Sequence, residues 1–315
     1  MALFRRRGSE RAPKPDPRRD EPDRVFPALS TADVAWIRSA AQRILAQNGV
    51  EVVVADNGAD LIAVGGMRIT IDNAIAKCRN SPRSDWHCVV EQHFGAMARA
   101  QHQTPVDELT PDELSAQIRT RLLPVDALQM GGIDMSGYAR PIADDLAAVL
   151  CIDYPETVTY LDGGRAQRLD LPSLFARGQR NTDNESLDEV TAIADGTVTM
   201  VAGHSVFTAS KALNMASLTA DIFGSDAPYG VAFAVPDRHT VLAHLIVSSE
   251  AVLAISRLAQ IAARTHENAS WSVSPNVYHW YGDNITRISA TDPERKTLEI
   301  IPSAELRRIL HILPD

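Results

Sequence analysis

Cysteine and lysine are scarce in this chain of 315 residues, and long apolar runs are missing. Three cysteines (Cys78, Cys88 and Cys151) cannot build the disulfide framework of a small secreted domain and suit a reducing cytoplasm. Lysine occurs only at Lys14, Lys77, Lys211 and Lys296, never after a glycine, so there is no Walker loop. No Gly-x-Gly-x-x-Gly follows a strand either, and without it the backbone has no close approach to a dinucleotide pyrophosphate. No apolar stretch nears the roughly 18 residues needed to span a bilayer. Met1–Arg7 is basic but runs into Gly8–Pro17 with no apolar segment, unlike a secretory signal. The rest of the composition, 45% hydrophobic and 23% charged, is that of an ordinary globular chain.

The net charge of -9 is unevenly spread: residues 1–30 carry +3 and the remainder -12. An acidic body repels phosphate backbones, so nucleic acid is not an expected partner. Residues 1–28 hold five prolines, mixed charge and few apolar residues. That composition buries too little surface to offset ordering entropy and predicts a disordered tail.

Order is expected to begin at Ser30, with Asp33 three residues on as a helix-start signature. Val34, Ile37, Ala41, Ile44 and Leu45 follow at helical spacing, and Asn48-Gly49 ends the run. Val50–Ala55, Leu61–Val64 and Met67–Ile71 read as a strand meander, with Asn57-Gly58 and Gly65-Gly66 at its turns. A helix opening at Ser84 presents Trp86, Val90, His93, Phe94 and Met97 on its apolar face. A short helical turn at Pro111–Arg119 and a strand at Leu122–Val125 complete an amino-terminal subdomain over residues 29–125. The Gly-rich stretch 126–137 is the expected linker, and 138–315 the main domain.

In that domain Leu146–Ile152 is an unbroken apolar run, suited to a strand covered on both faces, with Thr157–Leu161 as its antiparallel neighbour. Helices are expected at Leu171–Arg177, Ser186–Ala194, Thr208–Phe223, His239–Val247, Ser249–Thr265 and Ser303–Leu313. Strands are expected at Thr197–Ala202, Tyr229–Val235, Ile285–Ala290 and Thr297–Ile301. Helices and strands mix without a regular βαβ period. The expected fold is therefore α+β, a mixed or antiparallel sheet flanked by helices, with a smaller amino-terminal α/β subdomain.

Catalytic templates fail at the residue that does the chemistry. Gly203-His204-Ser205-Val206-Phe207 sits where a hydrolase elbow would, but Phe207 replaces its closing glycine. Phe207-x-x-x-Lys211 lacks the phenol of a dehydrogenase Tyr-x-x-x-Lys segment. His239 and His244 are five apart and do not share a helix face, so no metal site is expected. Asp153 ends the buried strand, where a carboxylate is either held at a cleft with a shifted pKa or simply solvated. Pro236 fixes a strand exit before Asp237, Arg238 and His239. Asp237 suits a helix cap, and Arg238 suits either a bidentate grip on an anion or a neighbouring acid.

Three segments are similar to a known family. They are Val206-Phe-Thr-Ala-Ser-Lys-Ala-Leu213, Ala234-Val-Pro-Asp-Arg-His-Thr-Val-Leu242 and Ser173–Thr182. Asp145–Leu161 also suits the paired strands of that family. Over about residues 120–245 the chain resembles the YtpQ-like bacterial cytoplasmic proteins, which implies an α+β fold and no assigned activity. His239 stands where the family has an acid, Phe207-Thr208 where it has Tyr-Asp, and Thr182 where it has a closing Leu.

Together these observations point to a cytoplasmic, non-enzymatic binding or adaptor protein without a cofactor, taking a protein or a small anionic ligand. Asp153, Ser210, Asp237, Arg238 and His239 are the candidate binding residues. The rival is a hydrolase using Ser205 or Asp153 with His239.

Overall fold

Ser30 starts the first helix as its residue type requires. Its hydroxyl accepts the Asp33 N–H at 3.2 Å, and α1 (Thr31–Gln47) then buries Val34, Ile37, Ala41, Ile44 and Leu45 along one face. The computed structural model describes residues 21–314, except 65–67, 101, 102, 131, 156, 225, 270 and 293–296. Its fold is α+β, and the chain divides into two compact units between residues 102 and 103.

In the first unit α1 is followed by the antiparallel meander β1 (Val52–Val54), β2 (Asp60–Ala63) and β3 (Arg68–Thr70). Two helices follow, α2 (Asp72–Arg79), which the sequence reading missed, and α3 (Trp86–Ala100). Trp86, Val90 and Phe94 of α3 enter one core with α1. Residues 1–20 of the expected tail lie outside the described residues, and residues 21–28 do not continue such a tail. Asp23 is buried, and its carboxylate accepts the N–H groups of Val25 (2.9 Å) and Phe26 (3.1 Å), while Phe26 packs on the core.

The second unit opens with α4 (Pro111–Gln117) and β4 (Ile118–Pro124). Two short strands, β5 (Gln129–Met130) and β6 (Ile133–Asp134), pair with each other, so the stretch expected as a linker holds a strand pair. Then come β7 (Arg140–Ala143), β8 (Leu146–Asp153) and β9 (Val158–Tyr160). Strand β8 is antiparallel to β4 over Leu146–Ile152 and to β7 and β9 on its other edge, which explains its unbroken apolar run. This pairing places 103–125 in the second unit, against the boundary expected from composition.

Next are α5 (Gly163–Ala166), α6 (Leu171–Asp183), β10 (Glu189–Ile193), β11 (Val198–Ala202), a 3-10 segment (Thr208–Asn214) and α7 (Met215–Phe223). The chain continues through β12 (Val231–Asp237), β13 (Thr240–Leu245), α8 (Ala251–Asn268), β14 (Val277–Tyr281) and β15 (Asn284–Arg287). It ends in the hairpin β16 (Ser289–Asp292) and β17 (Thr297–Ile300) and in α9 (Ala304–Ile312). Six strands form one antiparallel sheet in the order β10-β11-β13-β12-β14-β15.

Strand β12 shows the period of two. Val231, Phe233 and Val235 pack with the 3-10 segment and α7, whereas Ala232 and Ala234 let α8 approach closely. Two expected helices are strands here: Ser186–Ala194 holds β10, and His239–Val247 holds β13. Pairing of β13 with β11 and β12 on both edges outweighs the helical propensity of its Leu and Ala residues.

Candidate anion-binding corner

Pro236 has no N–H to give, and the β12–β13 register shifts between Ala234 and Asp237. Asp237 then organises the turn. One carboxylate oxygen accepts the His239 N–H at 2.7 Å and the other the Thr240 hydroxyl at 3.2 Å. The residue expected to cap a helix thus closes a hairpin. Backbone bonds pin the turn from three sides. The Arg238 N–H donates to the Trp271 carbonyl (3.2 Å), the Ala209 N–H to the Arg238 carbonyl (3.1 Å) and the Gly203 N–H to the His239 carbonyl (3.1 Å).

His239 is committed at both ring nitrogens. Nδ1 lies 3.1 Å from the carbonyl oxygens of Gly203 and of Ser205, which can only accept, so Nδ1 carries the proton. Nε2 then accepts the Arg238 Nε–H at 2.8 Å. Burial first, and the Arg238 charge second, hold the imidazole below its ordinary pKa, in keeping with a neutral ring. The Ser205 hydroxyl accepts the Phe207 N–H at 3.1 Å and is not bonded to this ring.

Arg238 lies with its guanidinium 4.7 Å from the centre of the Trp271 ring. Burial pushes its pKa down to about 10, and the positive charge of Arg121 is the second cause. Arg121 and Arg119 stand two apart on β4, so their side chains leave the same side of the pleat. Arg119 is fully engaged. It bonds Glu185 at 3.1 Å, lies 3.6 Å from Asp153 and donates to the carbonyls of Ala116 (2.8 Å) and Ile118 (3.2 Å).

Arg121 is only 6% exposed, and among the described residues its side chain has no hydrogen bond and no ion pair. Its guanidinium lies 5.6 Å from the Tyr160 ring centre and 5.8 Å from that of Phe207. The Tyr160 hydroxyl likewise has no hydrogen-bond partner among the described residues. Burial raises the Tyr160 pKa, and Arg121 and Arg238 both pull it back, so the phenol keeps its proton and remains a donor.

Asp153 and Ser210 fall on the supporting side of this arrangement. Asp153 shares Arg119 with Glu185, and burial raises its pKa against the pull of Arg119. Ser210 is buried, and its hydroxyl accepts the Leu122 N–H at 3.0 Å. Since β4 is an edge strand, Ser210 and Thr182, which takes the Thr120 N–H at 3.2 Å, satisfy its outer donors. Lys211 donates to the carbonyls of Asp183 and Glu185, fixing the segment that carries Glu185.

The structure therefore brings Asp237, Arg238 and His239 together and adds Arg121, Tyr160 and Trp271, which the sequence reading missed. The signal for Arg121 was present: Arg119 and Arg121 alternate at the head of an apolar strand. A cavity of about 510 Å³ beside Asp237 offers less, because its guanidinium, Arg264, is solvent-exposed. Among the described residues no three His, Cys, Asp or Glu side chains gather as metal ligands. No described helix is long and apolar enough to cross a membrane. Compared with protein-family models, curated proteins and solved structures, the chain matches none.

Proposed function

We propose that the chain is a non-enzymatic binding protein whose recognition site for an anionic group is built from Arg121, Tyr160 and Arg238. Arg121 is the observation that carries this reading. Setting a cation this deep, with two aromatic faces and a little solvent around it, costs free energy that no ion pair or side-chain hydrogen bond among the described residues offsets. A bound anion would offset that cost. The neighbouring acids do so only at longer range: Asp153 feels the Arg121 charge but lies, with Glu185, at Arg119, and both oxygens of Asp237 serve the turn.

The hydrolase reading has less support. A general base needs a free lone pair facing its nucleophile, and the lone pair of His239 faces Arg238. A cytoplasmic location belongs with the binding reading and is supported by three cysteines that are all free. Kinship with the YtpQ-like family is part of the same proposal and rests on the three similar segments.

Thermal unfolding in a panel of small oxyanions tests the reading. A ligand present at 100 times its Kd stabilises the folded state by about 2.7 kcal/mol. The melting temperature of the wild type is expected to rise with at least one oxyanion, and that of Arg121→Met to stay unchanged. Equal rises in both proteins would overturn the assignment.

A further inference from the structure

We infer that the group held at Arg121, Tyr160 and Arg238 is the doubly charged terminus of a phosphate monoester rather than a carboxylate. This rests on the anion-binding reading above and narrows it to one chemical class. Two guanidiniums reach the corner from different strands, Arg121 from β4 and Arg238 from the end of β12. Loop 203–209 joins them. Phe207 faces Arg121, the Ala209 N–H holds the Arg238 carbonyl, and the carbonyls of Gly203 and Ser205 orient the imidazole that takes the Arg238 Nε–H.

Charge and donor supply decide between the ligand classes. No carboxylate forms an ion pair with Arg121 or Arg238 among the described residues, and Asp237 and Asp153 offset their two charges only at longer range. The lowered pKa of Arg238, with Arg121 among its causes, agrees with that crowding. Arg121 has all five of its N–H donors unused, Arg238 keeps its terminal nitrogens, and Tyr160 adds an O–H.

A carboxylate brings one charge and a planar fork that matches a single guanidinium. A phosphate monoester brings nearly two charges and three terminal oxygens set tetrahedrally, enough to face two guanidiniums and a phenol at once. The aromatic rings matter too. Tyr160, Phe207 and Trp271 flank the arginines, so both cations are held in place before a ligand arrives.

Isothermal titration of the full chain with four probes tests this at about pH 8, where phosphate is mostly a dianion. The probes are inorganic phosphate, sulfate, methanesulfonate and acetate. Sulfate and methanesulfonate share a tetrahedral face and differ by one charge. Phosphate and sulfate are expected to bind at least about tenfold more tightly than the two monoanions. Arg121→Lys and Arg238→Lys should each weaken phosphate by about tenfold or more, because an ammonium lacks the bidentate fork. Tyr160→Phe should weaken it by a few fold at an unchanged melting temperature, which separates ligand binding from folding.

If acetate or methanesulfonate matches sulfate, the dianion inference is wrong while the anion-binding reading stands. Absence of binding by all four probes up to about 50 mM, weaker than any useful affinity, would overturn both. So would phosphate binding that survives all three substitutions.

Discussion

Arg119 and Arg121 share a strand, a side of the pleat and a residue type, and differ in everything around them. Arg119 is enclosed by two carboxylates and two carbonyls, and it ties β4 to the end of β8 and to the segment after α6. Arg121 is more deeply buried, yet among the described residues its guanidinium has no ion pair and lies against the faces of Tyr160 and Phe207. A guanidinium with satisfied donors is a staple. One with unused donors, in a chain with a net charge of -9 and many acids to spare, is the feature on which the anion-binding proposal rests.

The comparison breaks most completely if the wall behind both arginines is moved. Helix α6 approaches β4 at Gly178, where an added Cβ would lie 3.0 Å from the Arg119 carbonyl carbon and 3.1 Å from the Thr120 nitrogen. Gly178→Leu is therefore expected to cost about 3 kcal/mol in urea unfolding and to abolish anion binding with it. A smaller and more selective effect comes from treating the two arginines alike. Arg119→Met leaves Asp153 and Glu185 without their cation and should destabilise by about 2 kcal/mol. Arg121→Met removes an unpaired charge, so stability should hold or rise by about 1 kcal/mol, while anion binding is lost. Equal destabilisation by the two substitutions would show that Arg121 is a staple as well.

The serines sharpen the same contrast. Ser210→Ala orphans the buried Leu122 N–H and should cost about 1–2 kcal/mol without changing anion affinity directly. Ser205→Ala removes an acceptor from a less buried turn and should cost under about 0.5 kcal/mol in the same unfolding assay.

Part of this was legible beforehand and part was not, for physical reasons. Pro236 announces a strand exit in any context, so the Asp237-Arg238-His239 corner could be located from residue types alone. What followed it could not. Thr240–Leu245 is short and apolar, a pattern that helix and strand share, and its pairing with β11 decides the matter from about 40 residues away. Ser210 looked like a site residue because its partner is an amide 88 positions earlier, at an edge that exists only once β4 has paired with β8. Local pattern starts the strand at Leu122 and leaves Arg121 outside it. The start at Ile118 is set by pairing with Ile152, not by local propensity.

The effect spread over the most residues is pH dependence. The folded pKa of His239 lies below its unfolded value, so between the two the unfolded chain binds the extra proton. Stability is then fully present above the ordinary imidazole value and is lost as the pH falls through it, from about pH 6.5 downward. His244, His266 and His279 are lowered by burial and add the same sign, and so does His93, lowered to about 4. Asp153, whose pKa is raised, opposes them at lower pH, because its protonation relieves a buried charge. Melting temperatures measured from about pH 7.5 to pH 5.5 should fall, and fall less in His239→Gln.

The most direct test of the central claim watches the arginines themselves. In a side-chain Nε–Hε NMR spectrum of the intact chain titrated with phosphate, the Arg121 and Arg238 signals are expected to shift together and saturate at one concentration, while Arg119 stays still. Movement of Arg119 with Arg121 unmoved, or no saturating shift in either Arg121 or Arg238, would contradict the account.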